Sequence, residues 1–289
     1  MTGSQPERRA EGRGWRTAQV LSEALPFIQR YAGRSVVIKF GGHAMTDAEL
    51  TAQFANDVVL LRQMGLRPVV VHGGGPQIGA MMERLGQVPD FRNGQRVSDA
   101  DTVSTAEMVL SGAINPAIVQ AITAAGGKAV GISGKDAGLV TATAVDPDLG
   151  FVGRPEAVRT ELLDTLADSG FIPVVSPISG GEAGESYNVN ADAVAGAVAV
   201  ALGATRLLLL TDIEGVRGAG GERITDLTRD DARRLIADGV ATGGMIPKLD
   251  TAMSAVAGGV DAVVILDGRR AHALLVELFT DDGSGTLIR

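Results

Sequence analysis

Six short runs do most to limit what this chain can fold into: Ser35–Phe40, Arg67–Val71, Lys128–Ile132, Phe171–Val175, Leu207–Leu210 and Ala262–Leu266. Each is rich in Val, Ile and Leu and apolar on both faces, the pattern of a strand covered from both sides in a parallel sheet. Helical stretches separate most of them, over Asp47–Gln63, Pro76–Leu85, Pro116–Ala125, Pro155–Ser169, Ala191–Leu202 and Asp230–Ala237. Pro76, Pro116 and Pro155 each suit a first helical turn, where a missing N–H breaks no bond. Alternating strands and helices predict an α/β chain, with a mostly parallel sheet sandwiched between helices. A length of 289 residues suits one large α/β domain or two lobes. The break at Ser176–Ser186, with Pro177, Gly180, Gly181 and Gly184, is the expected lobe boundary. Upstream, Val20, Leu21, Ala24, Leu25 and Ile28 fall near helical spacing, so residues 17–33 are expected as an amphipathic helix. Residues 1–16, charged and broken by glycine, are expected as a disordered tail.

Composition narrows the function. Aromatic residues make up 3% of the chain and the formal net charge is -8, so stacking platforms and a basic footprint for nucleic acid are both lacking. There is no cysteine, which excludes thiolate chemistry, disulfides and Cys-bound zinc. The apolar runs fall short of the ~18 residues needed to span a membrane, and the polar N-terminus does not resemble a signal peptide. A cytoplasmic protein is the expectation.

Glycine and lysine carry the chemistry. The segment Val36-Val37-Ile38-Lys39-Phe40-Gly41-Gly42 ends a buried strand with a cation and two glycines, at the usual ligand crevice of an open α/β sheet. A surface lysine before a tight turn would look the same. In Val69-Val70-Val71-His72-Gly73-Gly74-Gly75-Pro76 a strand runs through three glycines into a helix start, where free N–H donors and the helix dipole favour an anion. His72 itself is expected to pack or hydrogen-bond rather than catalyse. Gly131-Ile132-Ser133-Gly134-Lys135-Asp136 lacks the first glycine of a P-loop and has Asp136 where Ser or Thr would be needed, so it is not counted as one. Asn188-Val189-Asn190-Ala191-Asp192 leads into an Ala-rich helix; Asn190 suits the N-cap, which leaves Asn188 for recognition. Thr242-Gly243-Gly244-Met245-Ile246-Pro247-Lys248 supplies a second glycine-flanked lysine, and Asn93-Gly94-Gln95-Arg96-Val97 places an arginine after a turn dipeptide.

Together these segments resemble the amino acid kinase family, and within it the arginine-sensitive branch acting on N-acetyl-L-glutamate. Leu210-Thr211-Asp212-Ile213-Glu214-Gly215 and the tail Glu277-Leu278-Phe279-Thr280-Asp281 add to the likeness, which runs from about Thr17 to the C-terminus. The combination is specific, although no single piece is. The resemblance implies an open αβα sandwich of two lobes, 34–178 for the acyl amino acid and 179–289 for ATP, with Mg²⁺ accompanying the nucleotide. It implies that Lys39 and Lys248 stabilise the transition state and that Asp192 organises them. Gly41, Gly42, Gly74 and Gly75 would donate to the transferring phosphoryl group, the latter pair also facing substrate. Arg96 and Asn188 would hold the substrate carboxylate, and Thr211 and Asp212 would lie in the nucleotide pocket; no residue is assigned to a metal. The extra N-terminal helix and the tail imply a homo-oligomer, a dimer or a hexamer built as a trimer of dimers, with L-arginine as inhibitor. Val264 stands where such relatives carry His, and His43 where many carry a small polar residue. Other amino acid kinases, including those acting on the longer acetylaminoadipate, and a non-catalytic amino-acid or nucleotide sensor are the rival readings.

Overall fold

The structure is a computed structural model that describes residues 5–92 and 95–289, without the side chains of residues 5–13 and of His43. Helix α1 (Gln5–Tyr31) leads into β1 (Ser35–Phe40), α2 (Ala48–Gln63), β2 (Arg67–His72) and α3 (Gly75–Arg84). A short ladder of β3 (Phe91–Arg92) and β4 (Gln95–Arg96) precedes α4 (Ala100–Val109) and α5 (Asn115–Ala124), which a π-helical turn over Leu110–Ile114 joins. Next come β5 (Ala129–Ser133), β6 (Val140–Ala144), β7 (Val152–Val158), α6 (Glu161–Asp168), β8 (Ile172–Ser176), β9 (Ile178–Gly180) and β10 (Ser186–Val189). The chain closes with α7 (Ala191–Ala201), β11 (Arg206–Thr211), β12 (Asp226–Leu227), α8 (Arg229–Ala237), α9 (Met245–Ala257), β13 (Ala262–Asp267), α10 (Ala273–Phe279) and β14 (Thr286–Ile288).

Eight strands form one sheet in the order β12-β14-β13-β11-β1-β2-β8-β5, parallel throughout except between β13 and β14. All six apolar runs are strands of this sheet. The α/β sandwich with a mostly parallel sheet is therefore the fold. First-half strands meet second-half strands at β1 and β11, where Lys39 lies opposite Leu209. The pleat divides the core: Val36, Ile38 and Phe40 face a layer containing α2, α5 and α10, while Val37 faces the layer of α7 and α9. Lys39 follows Val37 by two residues and so points to that second layer, which brings it to the first turns of α7 and α9.

Three expectations need correction. The stretch Pro155–Ser169 is not one helix: Pro155 lies in β7, beside the register shift between Thr141 and Ala142 of β6, and only Glu161–Asp168 is helical. Proline is tolerated in a strand at such an irregularity, because the ladder bond it cannot make is already disrupted there. Strands β6, β7, β9 and β10 form a second small sheet, and the expected lobe boundary at 178/179 falls inside β9. Residues 5–16 belong to α1 rather than to a disordered tail. Arg, Glu and Ala favour helix, and Pro6 is compatible with a first turn, so local propensity outweighs the charge that suggested disorder. Met1–Ser4, the turn dipeptide Asn93-Gly94 and the His43 side chain lie outside the described residues.

Candidate active site

A cleft of about 330 Å³ opens at the carboxyl ends of β1 and β2. Its lining brings together Lys39, Gly41, Gly42, Gly74, Gly75, Arg96, Asn188 and Asp192, drawn from both halves of the sequence. Such a crevice lies where ligands bind in open α/β sheets.

Asp192 is the centre of charge. The N-cap Asn190 accepts hydrogen bonds from the N–H groups of Asp192 and Ala193 at 2.7 and 3.4 Å, which starts α7 and places Asp192 in its first turn. Lys248, in the first turn of α9, donates to Asp192 Oδ2 at 2.6 Å. Lys39 Nζ lies 3.2 Å from Oδ1 as an ion pair, and among the described residues that oxygen has no further partner. Gly196 allows this meeting. A Cβ there would come within 2.9 Å of the Thr251 Cγ2, so a larger residue would push α7 and α9 apart.

Burial shapes the charges. It pulls the Lys39 ammonium below the usual lysine range; Asp192 opposes that shift and Lys248 adds to it. Burial alone would raise the Asp192 carboxyl, but the two lysines overcome it and hold the group below its ordinary value. Asp192 is thus an anion at neutral pH. The cluster carries two cations against one anion, an arrangement suited to an additional negative charge.

Glycine geometry surrounds the cluster. At Gly41 a Cβ would stand 2.5 Å from Lys39 Nζ, and at Gly42, where φ is +74°, it would strike the Asp212 carboxylate. Gly74 caps α3 and has no room for a side chain against Ile114 and Leu110 of the π-helical turn. The helix N-terminus beside it supplies unpaired N–H groups, a common anion site.

A second polar group lies farther along the cleft. Arg96 stacks its guanidinium on the Phe91 ring at 4.6 Å, and donates to the Gly75 carbonyl and the Met82 sulfur, each at 3.2 Å. Burial lowers its pKa from the usual arginine value. Asn188 donates to Ser98 Oγ at 3.2 Å, and Ser98 donates to the Arg96 carbonyl at 3.0 Å, so a buried serine ties the two together.

The family model for the amino acid kinase family matches residues 34–267. Proteins described as acetylglutamate kinase from Parvibaculum lavamentivorans and Erythrobacter litoralis are each 56% identical over 94% of this chain, and 94% and 95% of those proteins are covered. The chain belongs to the amino acid kinase family.

Solved structures agree with this membership. N-acetylglutamate synthase from Neisseria gonorrhoeae, complexed with coenzyme A and N-acetyl-glutamate, superposes with a TM-score of 0.84 at 27% identity over 94% of this chain; the chain spans 63% of that synthase. Carbamate kinase from Giardia lamblia bound to AMP-PNP, at 17% identity, shares the fold with a TM-score of 0.66 over 89% of this chain and 99% of its own length.

Within this kinase frame, Lys248 reaches the cleft through Asp192, and Thr211 and Asp212 lie beyond its lining at the end of β11, with the Asp212 carboxylate against Gly42. Ser98, Phe91, Gln95 and Gln77 are cleft or supporting residues that sequence reasoning missed. Gln77 was legible as a polar residue in a glycine-led helix start, whereas nothing local marks Ser98. Among the described residues Gln77 Oε1 is enclosed without a partner. The P-loop-like segment is a closed turn, in which Asp136 accepts from Ser133 N and Oγ at 2.6 and 2.8 Å.

Proposed function

We propose that this kinase transfers the γ-phosphoryl group of ATP to the side-chain carboxylate of N-acetyl-L-glutamate, giving N-acetyl-L-glutamyl 5-phosphate, an early step of arginine biosynthesis. The observation that carries the reading is the junction of Lys39 and Lys248 on the buried Asp192, beside two glycine turns. Relatives described as acetylglutamate kinase support the choice of substrate.

The nucleophile is a carboxylate with a reference pKa near ~4, so it is ionised at neutral pH and needs no general base. The barrier comes from bringing that anion up to a phosphate. Lys39 and Lys248 would offset the repulsion as charge develops on the transferring group. Each unit charge at ~4 Å contributes on the order of 4 kcal/mol at an effective dielectric near 20. Asp192 would hold both ammonium groups in place, so that little reorganisation is needed during transfer. Backbone N–H groups at Gly41, Gly42, Gly74 and Gly75 would line the phosphoryl path, with Arg96 and Asn188 taking the α-carboxylate end. Thr211 and Asp212 would border the nucleotide. The acyl amino acid would rest chiefly on 34–178, with Asn188 reaching it from the other half, and ATP on 179–289. Among the described residues Asp192 is the one carboxylate lining the cleft and is already held by two lysines, so Mg²⁺ would be held chiefly by the ATP phosphates, whose charge it would help neutralise.

The test is ATP-dependent acyl-phosphate formation, trapped with hydroxylamine, using N-acetyl-L-glutamate, N-acetyl-L-aspartate, L-aspartate and N-acetyl-2-aminoadipate. Preference for N-acetyl-L-glutamate is expected. Preference for another acid would keep the kinase and change its pathway, and ATP binding without turnover would favour a sensor.

The proposal extends to assembly and control. Trp15, Val20, Leu21 and Leu25 of α1 are exposed apolar side chains suited to a second copy in a dimer or hexamer. L-arginine is the proposed inhibitor, acting where α1 meets α10 through the Tyr31–Phe279 ring contact, near the tail in which Glu277 accepts from the Ser284 and Gly285 N–H groups. Val264 is wholly buried in β13 and offers no imidazole. Activity that stays flat over millimolar L-arginine would remove this extension and leave the kinase reading intact.

A further inference from the structure

We infer that His72 is a positioning residue for phosphoryl transfer, holding the Gly73 carbonyl so that the Gly74 N–H is aimed into the cleft. This rests on the proposed phosphate-facing role of Gly74.

His72 ends β2 with no exposed surface. Its Nδ1 lies 2.9 Å from the Gly73 carbonyl and its Nε2 lies 3.2 Å from Asn115 Nδ2. The orientation of the Asn115 amide follows from its other contacts: Nδ2 donates to the carbonyls of Val174 at 2.9 Å and Ile132 at 3.3 Å, where an oxygen would be repelled. Those two carbonyls can take both Asn115 hydrogens, so the tautomer is set at the other ring nitrogen, where the Gly73 carbonyl can only accept. Nδ1 must carry the proton that it donates to Gly73, which leaves Nε2 as the acceptor. Burial keeps the ring in this neutral form, lowering its pKa to about 4.

The consequence for the loop is geometric. The C=O of Gly73 and the N–H of Gly74 belong to one planar trans peptide and point in opposite directions, so holding the first aims the second. Gly73 N–H is itself held by the Phe40 carbonyl at 2.9 Å, which fixes the other side of the residue. Among the described residues the Gly74 N–H has no partner, and Gly74 lines the cleft. The relay begins on carbonyls of β5 and β8, passes through Asn115 and His72, and ends at a free donor. Gly131 makes room for it, since a Cβ there would stand 1.9 Å from Asn115 Oδ1.

Two neutral substitutions separate the two ring nitrogens. His72→Asn places an amide N–H near the position of Nδ1 and preserves the donor to Gly73. His72→Gln places an oxygen near the position of Nε2 and preserves the acceptor for Asn115 while removing that donor. Turnover is measured with ATP and N-acetyl-L-glutamate, alongside Tm. The Gln variant is expected to lose about tenfold or more in kcat with both KM values within about twofold, and the Asn variant to keep kcat within about threefold. Equal losses in the two variants at matched Tm, or a Gln variant with normal kcat, would overturn the inference. The wild-type protein supplies a check that needs no variant to fold: the chain has 3 histidines, so ring ¹⁵N correlation spectra can assign the His72 tautomer. The Nδ1–H form is expected, and an Nε2–H form would overturn the inference. Wild-type protein without turnover would remove the kinase reading together with this role, whereas normal wild-type turnover with equal variants would remove the His72 role alone.

Discussion

Lys39 and Lys135 both stand at the carboxyl end of a strand in the main sheet, with glycine close by in sequence. Lys39 sits at the end of β1, its side chain 11% exposed, against an aspartate that is itself enclosed. Lys135 follows β5, with its side chain 38% exposed, and donates to Glu107 and Ser186 at 2.9 and 3.0 Å. Both are ion-paired, but the consequences differ. Burial strips water from Lys39 and leaves its charge to be balanced by Asp192 and Lys248. Lys135 keeps water on one side and a surface carboxylate on the other, which screens it. Strand-end position selects candidates; desolvation and partners decide between them.

The largest test of this contrast is removal of the buried cations. Lys39→Ala or Lys248→Ala is expected to lower kcat by about 1000-fold or more, with a much smaller rise in KM, because their charge matters most in the transition state. Near-normal kinetics in either variant would break the comparison. Asp192→Asn should come next, lowering kcat by roughly 100-fold and also lowering Tm, since it leaves two enclosed ammonium groups facing one another. Stopped assays and a melting curve on the same sample would separate the two effects.

Gly42→Ala probes the backbone half of the site. With φ at +74° and the Asp212 carboxylate in the way, it is expected to cost about 1–3 kcal/mol of stability, measured by urea unfolding. A smaller change is expected in pH dependence. Lys39 is needed charged and burial lowers its pKa from 10.5, so kcat/KM should decline on the alkaline side at a pH below that ordinary value. A profile that stays flat through that region would mean Lys39 is not the charge the reaction uses. Lys135→Ala sets the other limit of the comparison. Activity within about twofold of wild type and stability within about 1 kcal/mol are expected for an exposed pair. A large kinetic defect would place the Gly134 turn in the mechanism after all.

Much of the sheet was legible because a strand buried on both faces must be apolar at consecutive positions, a property of a few adjacent residues. The six runs came within a residue or so of β1, β2, β5, β8, β11 and β13 for that reason. The small sheet escaped because Val140–Ala144 alternates valine, alanine and threonine with little bulk, and because Pro155 is as compatible with a helix start as with an irregular strand. Helix α4 was missed although Asp99 accepts from the Thr102 N–H as an N-cap; the apolar residues behind it are small and give a weak stripe.

The site divides along the same line. Glycines after a strand and before a helix, and lysines beside them, are local patterns, so sequence was enough to nominate Lys39, Lys248 and Gly74, while Asp192 came from the family resemblance. It also determined the fold class, since alternating buried strands and helices admit few architectures. Which charges meet is a different kind of property. Ion pairing and pKa depend on through-space distance and on water excluded by the whole molecule. Only the tertiary structure could bring α9 close enough to α7 for Lys248 to reach Asp192, bury Ser98 between Arg96 and Asn188, or turn the Gly73 carbonyl onto the ring so that the His72 proton must sit on Nδ1.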